Sequence, residues 1–152
     1  MIRTDKRLRI CSVLLVANLA FIWGNSLLPG EISGAFSDWV KNLIAALFPY
    51  EGPAQESGGL IRKIAHFTEF ACLGMCLSWL LGMLKKKKYW PFVLGTAAAA
   101  IDETIQIFVP GRGPGVKDVL IDSCGVAAGM ILIYLGHIYF KRKSNQILME
   151  DK

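Results

Sequence analysis

The sequence predicts an all-α membrane protein with four spanning helices and a short amphipathic helix between the first and second. Three observations predict it. The apolar residues fall into four blocks, at about 10–28, 64–84, 89–109 and 119–140, each near the ~20 residues that a helix needs to cross a bilayer. None of these blocks carries a polar face repeating at helical period along its length, as the helices of a soluble bundle would. The basic residues, finally, alternate between the block ends as a membrane topology demands.

The last observation orients the chain. The protein has 17 Lys and Arg and a formal net charge of +5. With the N-terminus inside, the cytoplasmic segments hold Arg3, Lys6, Arg7, Arg9, Lys85 to Lys88, Lys141, Arg142, Lys143 and Lys152. The outer side keeps only Lys41, Arg62, Lys63, Arg112 and Lys117. The reverse orientation would break the positive-inside rule. Both termini are therefore expected in the cytoplasm. The basic charge is a topology signal, and no nucleic-acid partner is expected. With 152 residues, 53% of them hydrophobic, and a mean hydropathy of +0.42, residues 1–152 read as a single membrane domain.

In the first span the apolar run is long for a signal peptide, and no small-x-small site follows it closely, so an uncleaved span is expected. Asn25 and Ser26 near its outer end suit interhelical hydrogen bonding or a polar site. Pro29 and Gly30 end the span. Over about 35–48, Phe36, Trp39, Val40, Leu43, Ile44 and Leu47 form one apolar helical stripe opposite Ser37, Asp38, Lys41 and Asn42. That helix is too short to span, and it is expected in the outer interface or over the bundle mouth. Residues 49–59, rich in Gly, Pro and Ser, read as a link.

The second span opens with Ile61-Arg-Lys-Ile-Ala-His-Phe-Thr-Glu69, placing His66 and Glu69 within ~9 Å of its outer end. Lys85–Lys88 forms the cytoplasmic stop. The third span passes through the small residues Gly95–Ala100, which permit close helix approach. It carries Asp102, Glu103 and Gln106 as one polar band ~10 Å or less below Pro110. Pro110, Gly111, Gly113, Pro114 and Gly115 make an outer turn bearing Arg112. The fourth span begins with Asp118 and Asp122 one turn apart, continued by Gly125 and Gly129. Cys11, Cys72, Cys76 and Cys124 lie within the spans, so no disulfide framework is indicated.

With the second and fourth spans running inward and the third outward, all these polar groups reach the same outer third of the membrane. Carboxylates at that depth are costly and mark a functional site by default. A purely structural network is the rival reading, but five carboxylates with few basic partners exceed what a lock between helices requires. The chemistry on offer is acid–base. Crowded carboxylates share protons, so one serves as acid while another serves as base, and His66 beside Glu69 suits an oriented general base. The candidate reacting groups are His66, Glu69, Asp102 and Glu103. Candidate substrate-binding groups are Lys63, Gln106, Arg112, Asp118, Asp122 and Ser26, with Arg112 suited to bidentate contact with an anionic headgroup. His with Asp and Glu could also ligate a divalent ion. No contiguous metal motif, phosphate-cradling loop or nucleophile elbow is present, so neither metal nor cofactor is assigned.

Three motifs carry a resemblance: K-x-x-H-F-x-E-F-x-x-L-G from Lys63 to Gly74, D-E-x-x-Q-x-F-x-P-G-R from Asp102 to Arg112, and D-V-L-x-D-x-x-G-x-x-x-G from Asp118 to Gly129. In this order on four spans they resemble the VanZ-like membrane protein family. Asp122 stands where that family usually has Asn, and Phe70 where it often has Tyr. The resemblance implies a bacterial cytoplasmic-membrane protein, linked in the namesake to resistance to glycopeptides such as teicoplanin. Two functions stay open. The pocket binds and modifies a lipid-linked or cell-envelope substrate, or it binds lipid, antibiotic or a partner protein without turnover. A proton-coupled transporter is disfavoured, because the inner halves of the spans are apolar.

Overall fold

A computed structural model describes residues 2–47 and 58–150. Among the described residues all regular structure is helical: α1 (Ile2–Ser26), α2 (Gly30–Leu47), α3 (Gly58–Met83), α4 (Trp90–Ile107) and α5 (Val116–Glu150). Helices α3 and α5 form the central pair, α1 and α4 pack beside it, and α2 lies against α3.

Three helices are long and apolar enough to cross a membrane, over Asp5–Ser26, Gly59–Met83 and Val116–Ile147. The 18 residues of α4 would extend ~27 Å. Asp102, Glu103 and Gln106 in its last turns lower its hydropathy below that of the other three. Burial is inverted relative to a water-soluble domain. The buried apolar residues, among them Ile22, Phe70, Leu73, Ala99 and Val126, form one small core, while Val13, Phe21, Ile64, Leu120, Ile131 and Leu132 face outward. Buried beside that core are Ser26, Asp102, Glu103, Gln106 and Asp122. Such an exposed apolar surface is what a lipid solvent requires and what a monomer in water would not tolerate.

Small residues set the spacing of the central pair. A Cβ added at Gly125 would collide with the Phe67 carbonyl, and one at Gly129 with the Ala71 carbonyl. Across the same seam, Gly74 abuts the Val126 backbone. The Gly125–Gly129 stripe thus seats α5 directly on the α3 backbone, and Asp122, one turn earlier on α5, is carried inward with it.

The helices depart from the apolar blocks at their ends, for identifiable reasons. Helix α5 continues ten residues beyond 140, because Lys141 to Glu150 contains good helix formers and neither Gly nor Pro. Hydropathy marks a membrane edge, and the helix ignores it. Gly58 and Gly59, expected in the link, already belong to α3, and the rest of the link, 49–57, lies outside the described residues. Helix α2 starts at Gly30 instead of about 35, since the Ile32 and Ser33 N–H groups donate to the Pro29 carbonyl at 3.1 Å. Pro29 thus opens the next helix as it closes the last. At the end of α3, the Lys86 N–H donates to the Leu81 carbonyl and the Lys85 N–H to Gly82, with Lys85 at φ 54°. This is the left-handed helix-ending motif, formed here without glycine.

Candidate functional site

Helix α4 supplies the centre of the site. Asp102 and Gln106 share a face at i, i+4 with Glu103 beside them, and all three are buried. The Gln106 amide Nε2 lies 2.9 Å from Asp102 Oδ2, 3.3 Å from Ser26 Oγ and 3.4 Å from Glu103 Oε1. It binds the band together and ties it to α1. Ser26 Oγ donates to Asp102 Oδ2 at 2.8 Å, and its neighbour Asn25 donates from Nδ2 to Glu69 Oε1 on α3 at 3.0 Å. The last turn of α1 therefore holds one carboxylate of α4 and one of α3.

The α4–α5 turn closes this end of the bundle. The Gly115 N–H donates to Glu103 Oε2 at 2.8 Å. Arg112 donates from Nη2 to the Asn25 carbonyl at 2.7 Å and from Nε to the Leu28 carbonyl at 3.0 Å. Both carbonyls lie where α1 ends, the Asn25 carbonyl also accepting the Leu28 N–H at 3.2 Å, and a guanidinium is suited to capping two at once. Burial lowers the Arg112 pKa from its ordinary value, yet so basic a group stays charged. Gly111 (φ 74°) sits against the backbone of Gly30, and the Gly30 N–H donates to the Pro110 carbonyl at 3.0 Å.

His66 enters from α3 and Asp122 from α5. His66 Nδ1 is 3.9 Å from Asp102 Oδ2 and also 3.9 Å from Asp122 Oδ1. Both separations exceed hydrogen-bond length. Four polar atoms here are buried without a partner among the described residues: His66 Nδ1, Glu69 Oε2, Asp102 Oδ1 and Asp122 Oδ2. A cavity of about 20 Å³ adjoins His66 and Asp122, lined also by Glu103, Gln106 and Asp118, with Arg62, Lys63, Gly113 and Ile121 completing the wall. It accommodates a water or a small ion.

The VanZ/LLP1 family model matches residues 11–138. The chain belongs to the VanZ/LLP1 family. No curated protein and no solved structure matches it.

Within this family member, residues expected to react and residues expected to bind substrate come together. His66, Asp102 and Asp122, from three helices separated in the chain, meet within one cluster. Glu103 joins them through the cavity, and Glu69 lies on the α1 side, held by Asn25. Ser26 and Gln106 are bound to the carboxylates, while Lys63 and Asp118 line the cavity. Arg112, expected to contact an anionic headgroup, spends Nε and Nη2 on α1 carbonyls, which makes it a clamp on the turn. Three contributors went unassigned from sequence. Asn25 carried a signal, as an amide beside Ser26 at the end of a span. Arg62, beside the substrate-binding candidate Lys63, reads in the sequence only as a topology charge, and the Gly115 N–H is a backbone donor that no residue type reveals.

Proposed function

We propose that this chain is a four-span protein of the bacterial cytoplasmic membrane whose His/carboxylate pocket opens outward, binds a lipid-linked or cell-envelope substrate and acts on it by acid–base chemistry. The observation that carries this reading is convergence. Three helices and the end of a fourth deliver their rare polar groups to one end of the bundle, and four buried polar atoms there have no partner among the described residues. A network serving only to join helices would satisfy its members, since an unpaired buried polar group is costly.

In this reading His66 and Glu69 supply an acid–base pair, with Asp102 and Glu103 holding charge and protons beside them. Asn25, Ser26 and Gln106 orient the carboxylates. Lys63 and Arg62 sit where they meet an anionic headgroup above the cavity, and Asp118 sits beside them. Arg112 contributes positive charge from the clamp. Helix α4 is the remaining span, its outer end polar because it builds the site. Helix α2 turns Phe36, Trp39 and Leu43 outward and Ser37 toward the protein. That orientation suits a helix lying in the outer interface with its apolar stripe in lipid. A link to glycopeptide resistance follows if the substrate lies on the route by which such antibiotics reach the envelope.

A second reading keeps one observation. Ser26, Asp102, Gln106, Glu103 and the Gly115 N–H form a continuous hydrogen-bonded chain, and a site built for binding without turnover would need no more. Incubation of purified protein with cell-envelope lipid extract, followed by mass spectrometry, separates the two. Catalysis predicts a lipid species that the wild type consumes or produces and the His66→Ala variant does not. Retention of one unaltered species supports binding. The absence of both retention and conversion defeats the proposal.

A further inference from the structure

We propose that His66, Asp102 and Asp122 bind one divalent transition-metal cation of the Zn²⁺ or Mn²⁺ class. The proposal rests on reading this cluster as a functional site and names the ion that it holds.

Geometry comes first. The three side chains come from α3, α4 and α5, and each offers a ligand atom within 4.8 Å of the other two. His66 Nδ1 stands 3.9 Å from a carboxylate oxygen on either side. An imidazole bonded directly to one carboxylate would sit ~2.8 Å from it and be drawn away from the other. Here it is equidistant and out of hydrogen-bond range of both. The centre of a triangle with such edges lies roughly 2.3–2.8 Å from its corners, so inward shifts of a few tenths of an ångström reach the bond lengths of metal–imidazole and metal–carboxylate sites.

The polar atoms make an independent case. Asp102 is 0% exposed and Asp122 1% exposed, and His66 Nδ1 and the second oxygen of each carboxylate, Asp102 Oδ1 and Asp122 Oδ2, have no partner among the described residues. Asp122 also lines the adjoining cavity. Two buried carboxylates facing one imidazole, with Glu69 and Glu103 close by, would form a negative interior when ionised. The nearby cations, Arg62, Lys63 and Arg112, are at the rim or engaged with α1 carbonyls. A bound dication offsets that charge where protein cations do not.

The surroundings match those of a metal site. Asp102 Oδ2 is oriented by Ser26 Oγ at 2.8 Å and Gln106 Nε2 at 2.9 Å, the kind of supporting hydrogen bonds that ligating carboxylates carry. The cavity of about 20 Å³ leaves room at a fourth position for a water or a substrate oxygen. One imidazole with two carboxylates favours Zn²⁺ or Mn²⁺ over all-oxygen Ca²⁺ sites.

The test uses full-length protein, purified in detergent, washed with chelator and titrated with Zn²⁺ and Mn²⁺. About one equivalent of one of these ions should bind, with the thermal midpoint rising on binding. Asp122→Asn, which preserves side-chain shape, should weaken affinity at least tenfold. Pulsed electron paramagnetic resonance of the Mn²⁺ complex should show coupling to a histidine nitrogen. His137, the other histidine, sits on the wall of a groove at the far end of the bundle with Lys86 to Lys88, so His137→Ala should leave that coupling intact. Absence of stoichiometric binding, unchanged affinity in Asp122→Asn, or a Mn²⁺ signal without nitrogen coupling overturns the proposal. Metal bound by a protein that neither retains nor alters a lipid leaves the metal site standing and removes only the lipid reading.

Discussion

Gly129→Leu is expected to abolish the folded bundle. A Cβ at this position already meets the Ala71 carbonyl and lies 2.9 Å from the Met75 nitrogen. The obstacle is helix backbone, which has no rotamer through which to yield, so α3 and α5 must separate. Overpacking a core that can adjust costs about 1–3 kcal/mol, and one that cannot adjust lies at or beyond the top of that range. In lipid, moreover, close packing is the main force joining helices. Separation would also withdraw Asp122 from His66, so fold and site fail together. Little folded protein should survive detergent extraction, and its melting midpoint should fall well below wild type. Gly136→Leu is the control, because a Cβ there meets nothing within 4 Å, and it should melt like the wild type.

His66→Ala and Glu103→Gln are expected to have the opposite signature, with function lost and fold retained. His66 Nδ1 makes no hydrogen bond, so truncation removes no partner from the bundle. In Glu103→Gln the new amide keeps an oxygen to accept from the Gly115 N–H. General acid–base groups typically contribute 10²–10⁴-fold to rate, so under the proposed function either variant should lose at least about 100-fold in conversion of the envelope lipid. Protein level, and the melting midpoint of the chelator-washed protein, should stay near wild type. Parallel loss of folding and function in both variants would assign the cluster to structure alone.

Much of this arrangement was legible in the chain because the membrane makes polar residues conspicuous. Each of Glu69, Asp102, Glu103 and Asp122 interrupts a run of apolar neighbours, and helix geometry with alternating span direction is enough to bring them to one end. The Gly125–Gly129 stripe announced a close contact for the same reason. Helix ends were less legible, because hydropathy responds to lipid and helix propensity does not. Hence α5 runs on to Glu150, and α3 starts already at Gly58. The α2 stripe was visible as an amphipathic pattern, but its facing was not. In water its apolar side would turn inward, whereas here Trp39 points out and Ser37 points in. The ligand triad was invisible as a motif. His66, Asp102 and Asp122 stand on three helices, so no contiguous spacing encodes them, and only packing brings them together.

The central claim is that the cluster is reached from outside the cell. Gly113 lines its cavity, and a Cβ there meets nothing within 4 Å, so Gly113→Cys can be introduced without strain once Cys11, Cys72, Cys76 and Cys124 are replaced. A membrane-impermeant maleimide applied to intact cells should label this cysteine, while one at the exposed Ser144 on the tail of α5 should react only after permeabilisation. Labelling of Ser144→Cys in intact cells with Gly113→Cys protected would invert the topology and contradict the account.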